Sequence, residues 1–138
     1  MRRRQARRDV GTIADMPPTP VVVNLAEKFG LFADHWQPKV VGDLNGQYVK
    51  LVKLLGEFVW HHHADEDELF LVVRGSLRMQ FRTGEVVVGE GEFVVVPRGV
   101  EHRPVADEEV HVMLFEPAAT RNTGNGTNER TVERPARL

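Results

Sequence analysis

The sequence predicts an all-β protein, an antiparallel sandwich or barrel, on three observations. From residue 38 onward the chain is written in short valine-rich runs, glycines punctuate those runs, and no segment of helical periodicity lies between them. The runs cover residues 39–44, 47–55, 57–63, 68–74, 76–82, 85–88, 93–96, 102–106 and 110–115. The punctuation is Asn45-Gly46, Gly56, Gly75, Thr83-Gly84, Gly89, Gly91 and Gly99. One run, "SLRMQFR", alternates cleanly. Leu77, Met79 and Phe81 fall on one face and Arg78, Gln80 and Arg82 on the other, so this strand separates an apolar interior from solvent.

The flanks read differently. Residues 1–20 form a tail: "MRRRQARR" first, then "DMPPTP", whose prolines forbid a helix and favour an extended approach. "NLAEKFGLF" follows, with Asn24 as N-cap and Glu27 in the capping-box position, which predicts a short N-terminal helix. Residues 21–118 make one barrel domain. After Glu116-Pro117 the chain turns polar, and residues 119–138 read as a loop and frayed tail. Disorder is expected for residues 1–16 and beyond about residue 128.

Charge and composition narrow the function classes. The chain carries 18 basic and 20 acidic residues, a net charge of −2. Five arginines (Arg2, Arg3, Arg4, Arg7, Arg8) sit in the first eight positions, so the remainder holds 13 basic against 20 acidic residues, a charge of −7. An acidic body is a poor partner for nucleic-acid phosphates. There is no cysteine, which excludes disulfides, thiolate nucleophiles and thiolate metal ligands. Neither the apolar core of a signal peptide nor an apolar run approaching a membrane span of roughly 18 residues occurs, so a cytoplasmic protein is expected.

The chemistry concentrates in "WHHHADEDELF". On a strand, His61 and His63 point to one face and His62 to the other. "ADED" then turns the chain, and Glu68 opens the next strand, where a hairpin returns it to an ion shared by the two histidines. A fourth ligand must come from elsewhere, and His102 is the candidate, presented by the turn that Pro97 and Gly99 enforce. Three neutral imidazoles and one carboxylate suit one divalent transition metal ion, Fe(II), Mn(II), Ni(II), Cu(II) or Zn(II). Any one of these residues alone reads as a solvated or structural side chain; their spacing together does not.

These residues resemble the cupin pattern. The first cupin motif is matched by Gly56, then His61-His62-His63, four residues, Glu68, six residues and Gly75. The other cupin motif is matched by Gly91, five residues, Pro97-Arg98-Gly99, two residues and His102. The chain departs from the pattern in two places: four residues rather than five separate Gly56 from His61, and Ala106 stands where the motif ends in Asn. Neither is a ligand position. The resemblance covers about residues 38–116, and it is to the small single-domain cupins, the conserved-barrel or mannose-6-phosphate-isomerase-like group. It implies a double-stranded β-helix jelly roll, a metal held by His61, His63, Glu68 and His102, and a homodimer formed through N-terminal strands.

Cupins include oxygenases, isomerases, lyases and ligand-binding modules, so the site must decide. Alternation places Val59, Phe70, Val72, Leu77, Met79, Phe81 and Pro104 on the wall around the ligands. That wall is apolar and holds no basic pair for a phosphate, which disfavours a phosphosugar and favours a small, weakly polar organic molecule. An isomerase would need a base besides the ligands, and His111, Tyr48, Lys50 and Lys53 are the possible donors; both lysines read as surface residues. Trp60 and His62 face away. The expectation is a metal-dependent oxygenase, with a non-redox isomerase or lyase and a non-catalytic ligand-binding module as alternatives.

Overall fold

The computed structural model describes residues 11–138; the arginine cluster of the first eight residues lies outside them, as does most of the segment expected to be disordered at the N-terminus. Seven strands follow one short helix: α1 (Leu25–Phe29), β1 (Lys39–Leu44), β2 (Gln47–Glu57), β3 (Glu68–Arg74), β4 (Leu77–Phe81), β5 (Gly84–Val88), β6 (Phe93–Val96) and β7 (His102–Pro117). A single 3₁₀ turn, Ile13–Asp15, precedes them. Among the described residues, all pairings between these strands are antiparallel. The main order is β1-β2-β7-β3-β6, and β4 joins β7 to β5.

Local chemistry explains the start of this order. The Asn24 side chain accepts from the Glu27 N–H and caps α1, and Phe29 of α1 stacks on His111 of β7 at 4.5 Å. Asn45 and Gly46 both take positive φ, 50° and 76°, between paired Leu44 and Gln47, which is the two-residue turn that matches strand twist.

The structure merges two expected strands and loses another. Residues 102–106 and 110–115 belong to one 16-residue strand, β7, because no glycine or proline interrupts Asp107–Glu109. Arg78 of β4 holds Asp107 with two hydrogen bonds of 2.8 and 2.9 Å there, and along the edge opposite β2 the strand pairs first with β4, up to Val105, and then with β3, from His111. Residues 57–63 do not form a strand beyond Glu57. Phe58 donates to the Pro104 carbonyl at 3.0 Å, but proline has no N–H to return the bond. The ladder breaks and resumes one residue out of step at an isolated His61–His102 pair.

Fully buried Val72, Leu77, Met79 and Val112 form the centre of the interior, with Val52, Leu54, Phe70 and Leu114 around them. The outer face of the large sheet is apolar as well. Val49, Phe115, Leu69 and Val95 make one cross-strand row and Met113, Leu71 and Phe93 the next, with Phe93 61% and Val95 46% exposed.

Residues 119–138, expected as loop and frayed tail, fold back across the barrel instead. Thr120 and Thr123 are buried. Val40 donates to Ala136 and Leu138 donates back to Val40, and Arg137 pairs with Asp43. A polar composition did not prevent ordering because the segment satisfies its polar groups internally: Asn122 donates to the Arg130 carbonyl and accepts the Val132 N–H, Thr123 bonds the Gly126 carbonyl and the Thr131 hydroxyl, and Thr131 accepts the Asn128 N–H.

Candidate metal centre

His61, His63, Glu68 and His102, all buried, bring one ligand atom each to within 4.8 Å of one another. His62 and Glu66 stand outside that group. The two motifs are joined directly: the His61 and His102 backbones exchange hydrogen bonds of 3.1 and 2.9 Å, and their rings lie 4.2 Å apart. Glu68, first residue of β3, brings Oε1 to 3.4 Å from His63 Nε2 and 3.6 Å from His102 Nε2.

The imidazoles are set for metal. His61 Nδ1 bonds the Val59 carbonyl and His102 Nδ1 the Val100 carbonyl, each at 2.9 Å. A carbonyl only accepts, so each Nδ1 carries the proton and each Nε2 presents a lone pair to the centre. The Nε2 atoms of His63 and His102 are buried without any hydrogen-bond partner. Leaving such atoms unpaired costs roughly 1–3 kcal/mol each, and a divalent ion among them removes that cost. Burial, then the neighbouring His102, lowers the His61 pKa to about 4, which keeps the ring neutral and ligating at ordinary pH. These residues fit a divalent transition metal.

Behind Glu68 lies a pair the motifs do not include. Lys50 of β2 and Glu116 of β7 are 2% and 1% exposed, and Lys50 Nζ donates to Glu116 Oε1 at 2.9 Å and to the Thr120 carbonyl at 3.4 Å. Leu69 pairs with Phe115 across β3 and β7, which sets Glu116 beside Glu68, and Glu116 Oε2 is buried without a hydrogen-bond partner. Burial and then the Glu68 charge push the Glu116 carboxyl well above its usual range. Burial works against ionised Glu68 too, but the neighbouring Glu116, His102 and His63 outweigh it and hold Glu68 well below the usual range. The two shifts run in opposite directions, favouring neutral Glu116 and ionised Glu68. The expectation that both lysines lie on the surface fails for Lys50: it points inward, and a buried carboxylate near the end of β7, beyond the last motif residue, supplies its partner. Lys53 does face outward, donating to the Phe32 carbonyl at 2.6 Å.

A cavity of about 40 Å³ opens beside His61 and Glu68, room for a few waters at roughly 10–15 Å³ each. Of the expected wall, Phe70 and Pro104 line it. Val72, Leu77 and Met79 are buried deeper in the core, and Val59 and Phe81 pack at its margin. Alternation identifies the inward face but not depth, and two residues along a strand already move a side chain about 7 Å. Val52, Leu54 and Leu114 add to the apolar wall from the sheet, and Pro38, Phe58, Trp36 and Asn122 from outside it.

Sequence reasoning missed those last two. Trp36 takes φ of 61°, uncommon for a bulky residue, and is pinned by its N–H to the Lys53 carbonyl and its indole N–H to the Leu55 carbonyl, stacking on Phe58 at 4.6 Å. Asn122 comes from the folded-back C-terminal segment. That segment also clamps the ligands: Asn125 donates its N–H to the His62 carbonyl and accepts the His62 N–H on its side chain, each at 3.0 Å. Trp60, on the far side, sits under the Arg82 guanidinium at 3.9 Å.

The Cupin domain family model matches residues 51–116. A crystal structure of a cupin-2 domain containing protein from Shewanella frigidimarina is 49% identical, with 70% of this chain and 94% of that one covered and a TM-score of 0.69. The chain belongs to the cupin superfamily. This cupin is also 32% identical to protein NMB1881 from Neisseria meningitidis, over 71% of its own length and 100% of that chain, with a TM-score of 0.66. Among curated proteins it matches YdbB of Bacillus subtilis, 38% identical over 64 residues, 46% of this cupin and 57% of that protein. No helix among the described residues is long and apolar enough to cross a membrane.

Proposed function

We propose that this cupin is a metal-dependent oxygenase of a small, weakly polar organic molecule. The observation that carries the proposal is what the cavity lacks. Among the described residues, none lining the cavity apart from His61 and Glu68 can take or give a proton. The four possible bases are all engaged elsewhere: His111 with Glu109 at 3.1 Å, Lys53 with the Phe32 carbonyl, Lys50 with Glu116, and Tyr48 beneath Arg137 at 5.2 Å. An isomerase or lyase needs such a base within about 3 Å of the proton it moves.

A bound redox-active divalent ion would supply electrons for oxygen chemistry at this site. The residues do the rest. Three neutral imidazoles and one carboxylate leave a divalent ion with a net charge of +1, which favours an enolate or catecholate. Phe58, Phe70, Leu114 and Trp36 exclude water and strengthen that attraction. The cavity's size admits the reacting end of such a molecule. A second copy of the chain docked on the apolar rows of the outer sheet face is part of the same reading.

The test reconstitutes the protein anaerobically with Fe(II), Mn(II), Ni(II), Cu(II) or Zn(II), then adds oxygen and a panel of enols and catechols. Oxygen uptake confined to redox-active forms is expected. Equal turnover by the Zn(II) form overturns the oxygenase reading in favour of an isomerase or lyase, and ligand binding without turnover in any form favours a binding module.

A further inference from the structure

We infer that Lys50 and Glu116 are positioning residues for Glu68, and that through it they set how tightly the centre holds metal. This rests on the metal reading of the four-residue cluster. Neither residue lines the cavity, so neither can touch substrate; each reaches the centre only by way of Glu68. The three form one buried line across adjacent strands: Lys50 on β2, Glu116 on β7, Glu68 on β3.

The line has a geometric purpose. A carboxylate that binds an ion through one oxygen can still swing about its side-chain torsions, and Glu68, as the first residue of β3, follows a turn rather than a strand. The Glu116 carboxyl lies beside it on the adjacent strand, and Lys50 fixes Glu116 at 2.9 Å while the Thr120 carbonyl holds Lys50 at 3.4 Å. Stability alone does not explain the arrangement. Replacing a buried ion pair with apolar residues of similar size is often neutral or stabilising, so the core gains little by keeping a lysine and a glutamate there. A positioned metal ligand does gain, since loss of such outer partners typically weakens metal binding about 10- to 100-fold.

The experiment measures Co(II) affinity by chelator competition and records the Co(II) visible spectrum, which reports coordination geometry independently of any activity. Four proteins are compared: wild type, Glu116→Gln, Glu116→Leu, and the double variant Lys50→Met/Glu116→Leu. Gln can donate to Glu68 and accept from Lys50, so E116Q should stay within about threefold of wild type with the same spectrum. E116L should bind roughly 10- to 100-fold more weakly with an altered spectrum. Because E116L strands a buried lysine and can fail to fold, the double variant decides: it leaves no unpaired charge, should be as stable as wild type, and should bind as weakly as E116L. A folded double variant with wild-type affinity and spectrum overturns the inference, as does E116Q binding no better than the double variant. Wild type that takes up no Co(II) overturns the metal reading along with it, which separates the two failures.

Discussion

Replacing Gly124 with Ala should detach the C-terminal segment from the ligand-bearing residues. Gly124 has φ of 60°, and a Cβ there would collide with the His62 carbonyl oxygen and press on His61 Cδ2 at 3.0 Å. The left-handed conformation alone costs an alanine about 1 kcal/mol. The carbonyl is backbone and cannot swing aside, so the segment must lift, which breaks the two 3.0 Å hydrogen bonds between Asn125 and His62. At roughly 1 kcal/mol each, the total comes to about 3 kcal/mol. Denaturant unfolding of the metal-free protein should show a lower midpoint at an unchanged slope, and the Asn125 amide should lose its protection from hydrogen exchange. Gly126→Ala is the control: its Cβ would meet only the Thr123 carbonyl oxygen at 3.7 Å, an ordinary contact, and should cost little. If G124A matches G126A in stability and keeps Asn125 protected, the segment is not clamped as described.

Other outcomes follow from the same structure. In metal-free protein, NMR should place the His61 imidazole titration near pH 4, and His102→Ala should raise it, since His102 contributes to the depression. The unfolded chain binds that proton first, so His61 makes folding less favourable as pH falls from 6.5 toward 4, while raised Glu116 acts in the opposite sense, favouring the fold as pH falls. A His61 titration at 6.5 would show that the ring is not buried among the others. If a second copy docks on the outer sheet face, light scattering should report a dimer for wild type and a monomer for Phe93→Glu, because a carboxylate in the apolar rows stays unpaired on docking. A wild-type monomer at high concentration would refute that docking.

The barrel and the four-residue His/Glu cluster were legible in the sequence because both depend on local period. Three of the expected runs, 39–44, 68–74 and 93–96, match β1, β3 and β6 residue for residue, and the His61, His63, Glu68 and His102 cluster follows from two motifs whose spacing is set by turns. What was not legible depends on contacts between distant segments. The missing strand at 58–63 traces to Pro104, far along the chain, whose lost N–H matters only once the two segments meet. Lys50 and Glu116 are each ordinary in sequence; burial makes them a pair. Residues 119–138 look disordered by composition, but their asparagines and threonines bond each other and the ligand segment, a network that no periodicity announces.

X-ray absorption at the metal edge of the reconstituted wild-type protein tests the central claim most directly. One ion per chain is expected, with multiple-scattering features of imidazole and a first shell at about 2.0–2.3 Å, and a spectrum with one imidazole fewer in His102→Ala at unchanged circular dichroism. A wild-type spectrum with no imidazole scattering, or one that His102→Ala leaves unchanged while His62→Ala alters it, would contradict it.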